Sequence, residues 1–194
     1  MRVIRAILLI FLTFSCKAQG LPPNLRINPL YNSSFELSSS DYVKDIDNNL
    51  NPYEGTWLWQ EGNNSLTIQF QKIEMFLNDN VESFTYYMDC LIGEYKYVEN
   101  GNVLFDFLPV NFSGDQIDEN NMVGSILFNN STMVSVCPEC SDDARFVLGY
   151  FTQDDRPDLV GRLRMGIFND NGIDKLRIRL GFLALLPSTP NNSG

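Results

Sequence analysis

The stretch Leu163-Arg164-Met165-Gly166-Ile167-Phe168-Asn169-Asp170-Asn171-Gly172-Ile173-Asp174-Lys175-Leu176-Arg177-Ile178-Arg179-Leu180 decides the fold class. Leu163, Met165 and Ile167 fall on one parity, Arg162 and Arg164 on the other. Leu176, Ile178, Leu180 and Phe182 likewise alternate with Lys175, Arg177 and Arg179. A repeat of two belongs to strands with one apolar face. Asn171-Gly172 suits a type I′ turn, whose central residues both need positive φ. With that two-residue loop Asp170 faces Ile173, Ile167 faces Leu176, Met165 faces Ile178 and Leu163 faces Leu180. The apolar faces then agree across the hairpin. A four-residue loop keeps the same parity, so the register itself stays open.

The same alternation extends outward. Leu66, Ile68 and Phe70 alternate with Thr67, Gln69 and Gln71, and after Lys72 the parity passes to Ile73 and Met75. That flip predicts a β-bulge near Gln71 and Lys72. Tyr95 and Tyr97 alternate with Glu94 and Lys96, and Asn100-Gly101 signals a turn before Val103, Phe105 and Phe107. Strand segments are expected at 55–60, 65–77, 84–90, 92–98, 103–108, 123–128, 132–137, 144–152, 159–168 and 174–184. Eight to ten short strands with turn signals between them indicate a sandwich or an up-and-down barrel. The reading adopted is all-β: a single antiparallel, lipocalin-like β-barrel. No twelve-residue segment shows a helical stripe; a helical turn near 41–50 or 78–83 stays open.

Composition narrows function. The chain has 194 residues, 14 Lys+Arg against 24 Asp+Glu, no His, and a net charge of -10. With 44% apolar and 20% charged residues it is globular, and its length suits one domain. The acidic balance argues against nucleic acid, which needs a basic surface. Lack of His removes the commonest general base and neutral metal ligand.

Residues 1–15 read as a signal peptide, with Arg2 and Arg5 before an apolar run from Ala6 to Phe14. The run is too short for a bilayer, which needs about 20 apolar residues. Thr13-Phe14-Ser15-Cys16 resembles a bacterial lipobox, making Cys16 the expected lipidation site. Ser15 is the small residue wanted there; Thr13 and Phe14 depart from the usual pattern. The competing reading is cleavage after Ala18 or Gly20, giving a soluble periplasmic or secreted protein. Cleavage before Cys16 leaves twelve cations against 24 acids, a charge unsuited to anionic lipid surfaces. Residues 16–40, with Pro22, Pro23, Pro29 and two Ser-rich runs, are expected to form a flexible tether. The domain is placed at 41–186 and a disordered tail at 187–194. A membrane-anchored monomer follows.

Two resemblances bear on this. Gly55-Thr56-Trp57 opening a β domain resembles the first strand of lipocalins and fatty-acid-binding proteins. There the Trp closes the barrel floor, often beneath a late-strand Arg, here implied to be Arg177 or Arg179. The other lipocalin segments are missing. More widely, Cys16-Lys17-Ala18-Gln19, Leu30-Tyr31-Asn32, Asp45-Ile46-Asp47-Asn48, Gly55-Thr56-Trp57 and Leu91-Ile92-Gly93-Glu94-Tyr95-Lys96-Tyr97 together resemble small Bacteroidota lipoproteins with a domain of unknown function. That resemblance implies secretion and a β domain, and brings no activity or site residues. Within such lipoproteins acids after the Cys favour the cell surface. Lys17-Ala18-Gln19-Gly20 has none, which implies the periplasmic face of the outer membrane.

Candidate chemistry is sparse. Cys137-Pro138-Glu139-Cys140 suits a redox pair or half a zinc site, but a second such pair and all His are missing. A structural disulfide is expected, joining Cys137 to Cys140 or Cys90 to one of them. Asp45-Ile46-Asp47-Asn48-Asn49 begins like a Ca²⁺ loop, yet Leu50 and Thr56 occupy the places of the required Gly and Glu, so a turn is expected. No metal or cofactor is expected. Trp57, Trp59, Tyr95 and Tyr97 are the candidate ligand contacts, against the alternative of plain core aromatics. Arg162, Arg164, Lys175, Arg177 and Arg179 form a basic stripe, suited to an anion or a partner, or else neutralised by Asp154, Asp155 and Asp158. Glu54, Glu74, Glu94 and Asp106 form no catalytic pair, and neither a phosphate loop nor a Gly-x-Ser-x-Gly elbow occurs. The expectation is a non-enzymatic envelope protein binding a small apolar ligand, or a partner through its basic face.

Overall fold

The computed structural model describes residues 24–31, 37–79, 85–114, 117, 119–130, 137, 140–153 and 160–182. The strands are β1 Arg26–Pro29, β2 Asp41–Lys44, β3 Gly55–Glu61, β4 Asn64–Asn78, β5 Tyr86–Glu99, β6 Asn102–Asp106, β7 Met122–Asn129, β8 Arg145–Phe151, β9 Gly161–Asp170 and β10 Ile173–Phe182. A 3-10 turn, Asn51–Tyr53, precedes β3. All ten strands join one sheet.

The β9–β10 hairpin forms around the two-residue loop. Asp170 pairs with Ile173, Ile167 with Leu176, Met165 with Ile178 and Leu163 with Leu180. Asn171 and Gly172 take φ of 54° and 85°, the left-handed values that a type I′ turn demands.

The path β3-β4-β5-β7-β8-β9-β10 is antiparallel throughout. β5 pairs with β4 along one edge; its other edge meets β2, β7 and β6 in turn. β1–β2 and β2–β5 are parallel, which corrects the purely antiparallel expectation. After β2 the chain is tied to β5 by Asp45 N–H, which donates to Asp89, and to β9 by the Tyr53 hydroxyl, which donates to the Met165 carbonyl. The closed barrel is corrected too. Among the described residues β3 pairs only with β4 and β10 only with β9. Seven alternating strands leave their end strands running the same way, so closure would need a parallel pair, the slightly weaker kind.

The sheet nonetheless curls. Leu66 and Ile68 of β4 line one groove with Ile178 and Leu180 of β10, although β5, β7, β8 and β9 lie between those strands. The register places Trp57, Trp59, Leu66, Ile68, Tyr95, Tyr97, Met122, Leu163, Met165 and Ile178 on this inner face. The opposite, outer face is also buried along part of β4 and β5. There Ile73, Met88, Cys90, Ile92 and Val123 pack with Leu30 and Val43 from the N-terminal strands.

That double burial explains three departures from the sequence reading. Segments 84–90 and 92–98 are one strand, β5, because Cys90, Leu91 and Ile92 are all fully buried and blur the alternation. The parity flip after Lys72 needs no bulge there, since Ile73 faces the buried outer side. The bulge comes later: Ile73 pairs with Cys90 and Phe76 with Met88, leaving Glu74 and Met75 against Asp89, with Met75 at φ 57°. Finally, the tether is corrected over residues 26–30. Arg26 holds Asp41 through two bonds of 2.6 and 2.7 Å, and Leu30 is buried in the core. Residues 41–44 are strand rather than helical turn. Residues 1–23 and 187–194, hence the leader, Cys16 and the tail, lie outside the described residues, as do 132–136 of the expected 132–137 strand.

Candidate functional site

The register assembles the aromatic candidates in two rows. Ile68 pairs with Trp57 on one side and Tyr95 on the other; Leu66 pairs with Trp59 and Tyr97. All four aromatics therefore stand on the inner face, two residues apart along adjacent strands. Trp57 is half-buried and its Nε1 donates to the Tyr53 carbonyl at 2.9 Å. Trp59 is 48% exposed. Tyr95 is buried, its ring 5.1 Å from Phe107, 5.7 Å from Phe151 and 6.2 Å from Phe105. The Tyr95 hydroxyl lies 3.5 Å from Gln153 Oε1, and the Tyr97 hydroxyl donates to Glu99 at 3.4 Å.

Two hollows meet here. A groove of about 360 Å³ is lined by Leu66, Ile68, Tyr95, Tyr97, Phe105, Met122, Phe151, Leu163, Ile178 and Leu180. A cleft of about 550 Å³ lies between β3 and β10, with Trp57, Leu58 and Trp59 on one wall and Ile173, Asp174, Lys175, Leu176 and Ile178 on the other. They share Leu66, Ile68 and Ile178. The groove's floor, Met122, Phe151 and Leu163, escaped the sequence reading because single apolar residues in strands look like ordinary core.

At the far end the connection 45–54 closes the inner face. Tyr53 is buried, donates to the Met165 carbonyl at 3.3 Å, and burial pushes its phenol upward. This connection is held by carboxylates. Asp45 accepts from the backbone of Asn49 and Leu50, both at 2.8 Å, and its own N–H donates to Asp89 at 2.9 Å. Asp89, fully buried, also accepts from the Tyr42 hydroxyl at 2.6 Å and from Met75 N–H in the bulge at 2.9 Å. Lys72 Nζ stands 3.4 Å from Asp45. The Asp-x-Asp segment thus ties a turn to the sheet.

The basic stripe lies on the outer face. Arg164 stands directly opposite Arg179, Lys175 pairs with Asp170, and the Arg177 guanidinium sits 4.8 Å from the Phe168 ring. Arg164 Nε is buried without a hydrogen-bond partner. Asp154, Asp155 and Asp158 lie outside the described residues. Because Arg177 and Arg179 face outward while Trp57 faces inward, neither is the late Arg that the lipocalin resemblance implies; the Tyr53 carbonyl holds the indole instead.

Cys137 and Cys140 form a disulfide, and Cys90 is a free buried thiol pushed up to about 12 chiefly by burial. Cys137 packs with Phe128 and Phe146, and Asn130 Nδ2 donates to both Cys137 and Cys140 carbonyls. The pair closes a loop away from the groove.

No curated protein and no solved structure matches the chain. A family model described as a family of unknown function (DUF6705) matches residues 1–184, and the chain belongs to that family.

Proposed function

We propose that the chain is a non-enzymatic binding protein that holds a small apolar ligand in its inner groove. In this reading it hangs from an acylated Cys16 on the periplasmic face of the outer membrane, as a monomer. The observation that supports it most is the groove itself. Its volume of about 360 Å³ falls within the ~300–1,000 Å³ of small-molecule sites, and every lining residue is apolar or aromatic. Tyr95 and Tyr97 offer it aromatic rings, while their hydroxyls are engaged by Gln153 and Glu99. The lipocalin likeness then has a physical basis: a curled sheet of inward apolar side chains, about the size at which a cylinder holds one small ligand. Several acyl chains on one Cys, at about 0.8 kcal/mol per buried CH₂, would make the anchor stable.

Native mass spectrometry of the full chain from its own host, kept in detergent, tests both parts. The expected spectrum shows an acylated Cys16 terminus and an apolar molecule released on activation. Ile68→Glu, which puts a charge in the groove wall, should lose that molecule and keep the acyl mass. An unmodified chain starting at Leu21 overturns the anchor. Identical ligand-free masses for the native chain and I68E overturn the binding role.

A further inference from the structure

The cleft above the groove has a property that a small ligand does not use: both its walls are strand edges. β3 and β10 end a path of seven alternating strands, so they run in the same direction. One more strand, antiparallel to both, would complete an eight-stranded, wholly antiparallel ring. Eight is the size at which side chains fill a cylinder or leave room for one small ligand.

The hairpins fix which backbone groups face the cleft. Glu61 and Asn64 flank one two-residue loop, Asp170 and Ile173 the other, so each is a hydrogen-bonded pair. The ladders therefore use Trp57 and Trp59 on β3, and Ile173 and Lys175 on β10. The N–H and C=O groups of Thr56, Leu58 and Gln60, and of Leu176, Ile178 and Leu180, point away from the ladders. No backbone partner meets them among the described residues. The cleft between the two edges has a volume of about 550 Å³.

Side chains set the chemistry of the occupant. Inward ones would land on Trp59 and Ile178, an apolar floor. Outward ones would lie beside Lys175, Arg177 and Arg179, the cationic row on the outer face of β10, where opposite charges across a strand pair stabilise it. The sequence of residues 187–194 does not carry this pattern: Pro187 and Pro190 lack donors, and Asn191-Asn192-Ser193-Gly194 has neither apolar nor acidic alternation.

We propose that the cleft between β3 and β10 takes up an extended segment of a partner protein, apolar inward and acidic outward, as an eighth strand antiparallel to both edges. The strand occupies the cleft and the ligand occupies the groove beneath, so neither requires the other.

The test uses the full chain and acetyl-(Val-Glu)4-Val-amide at millimolar concentration. Two peptides serve as controls, one with Lys for Glu and one N-methylated at alternate residues. Residue-resolved amide exchange should slow at least tenfold at Leu58 and at Ile178 together. Both controls should bind at least tenfold more weakly. Leaving the protein unaltered avoids any loss of folding. Protection of one edge only, of neither edge, or equal binding of the three peptides overturns the proposal. So does protection of both edges in the free chain that grows with protein concentration, because the occupant is then a second copy. Ligand retention by the peptide-free chain, read by mass, tests the groove separately and so separates failure here from failure of the groove.

Discussion

β4 and β5 are long enough to behave as two different structures along their length. Between Ile73 and Phe76, opposite Cys90 and Met88, both faces of the pair are buried, and Asp89 bolts β2, β5, the bulge and the connection 45–54 together. Between Leu66 and Ile68, opposite Tyr97 and Tyr95, only the inner face is packed, and the neighbouring β3 leaves Leu58 64% and Trp59 48% exposed. The same pairing thus supplies a closed floor and an open mouth. A site needs supporting residues that do not shift when the rim does. The floor's redundancy is what permits the rim to stay unpartnered.

The sharpest way to break the floor is Gly149→Ala. Gly149 lies opposite Gly124, beside the irregularity where β7 bends against β8, and an added Cβ would sit 1.9 Å from the Val123 carbonyl oxygen. The obstacle is backbone, so two strands must separate. A loss of about 4 kcal/mol or more, or no folded protein at all, is expected in urea denaturation. Asp89→Ala comes next. It leaves the Tyr42 hydroxyl, Asp45 N–H and Met75 N–H without their acceptor in a dry interior. Each such group costs about 1–3 kcal/mol, with partial relaxation of the bulge, so about 3 kcal/mol is expected. A loss below about 1 kcal/mol would mean that the floor is not bolted by this carboxylate.

The contrast between floor and rim also marks what the sequence disclosed. The β9–β10 hairpin was legible in its strands and inward faces because one face is apolar and the other cationic; its register, open in the sequence between a two- and a four-residue loop, is set by Asn171-Gly172 in the structure. The alternation of Tyr95 and Tyr97 was legible for the same reason, but the rows that join them to Trp57 and Trp59 across Ile68 and Leu66 follow only from the pairing of β3, β4 and β5. The floor was not legible. Where both faces are buried, alternation disappears, and Cys90-Leu91-Ile92 reads as a break rather than as the middle of β5. Arg26–Pro29 was hidden differently. Four residues flanked by prolines and serines have no pattern of their own, and their strand is specified by Asp41, fifteen positions on. The open edge was hidden most deeply, because each strand's own alternation says nothing of how many strands separate β3 from β10.

Alkali should undo the floor. Burial, then the Asp89 carboxylate to which it donates, raises the Tyr42 phenol; burial alone raises Tyr53, and burial raises Tyr86 despite its bond from Asn78. Burial also takes Cys90 up to about 12. Unfolded tyrosines ionise near pH 10 and unfolded thiols near 8.5. The stabilisation is therefore complete below those values and declines as the pH rises beyond them. Denaturation midpoints should fall steadily from about pH 9 upward. Cys90 should resist iodoacetamide at pH 8 until the chain unfolds. A midpoint flat to pH 11 would place these groups in contact with solvent. At the other extreme, the Arg26 guanidinium holds Asp41 down at about 2. That contribution is present above about pH 4 and is lost as the pH falls towards 2. Its effect should be smaller, since Arg26 itself is exposed.

The smallest effect on stability belongs to the rim, and there its smallness is the point. Trp59 pairs with Leu66 on an edge strand, is half exposed, and lines the cleft rather than the core. Removing its ring leaves no cavity surrounded by protein, because water already reaches it. Trp59→Ala should therefore lower the unfolding free energy read in urea by less than about 1 kcal/mol, whereas the same truncation in a buried site costs about 3–5 kcal/mol. Trp57→Ala is the matched comparison. Its ring packs against the core and its Nε1 holds the Tyr53 carbonyl, so it should cost about 2–3 kcal/mol. If the two substitutions destabilise equally, Trp59 belongs to the fold and the mouth is tighter than its exposure implies. If W59A is silent on stability yet weakens strand uptake, then the rim is held open by a floor that does not depend on it.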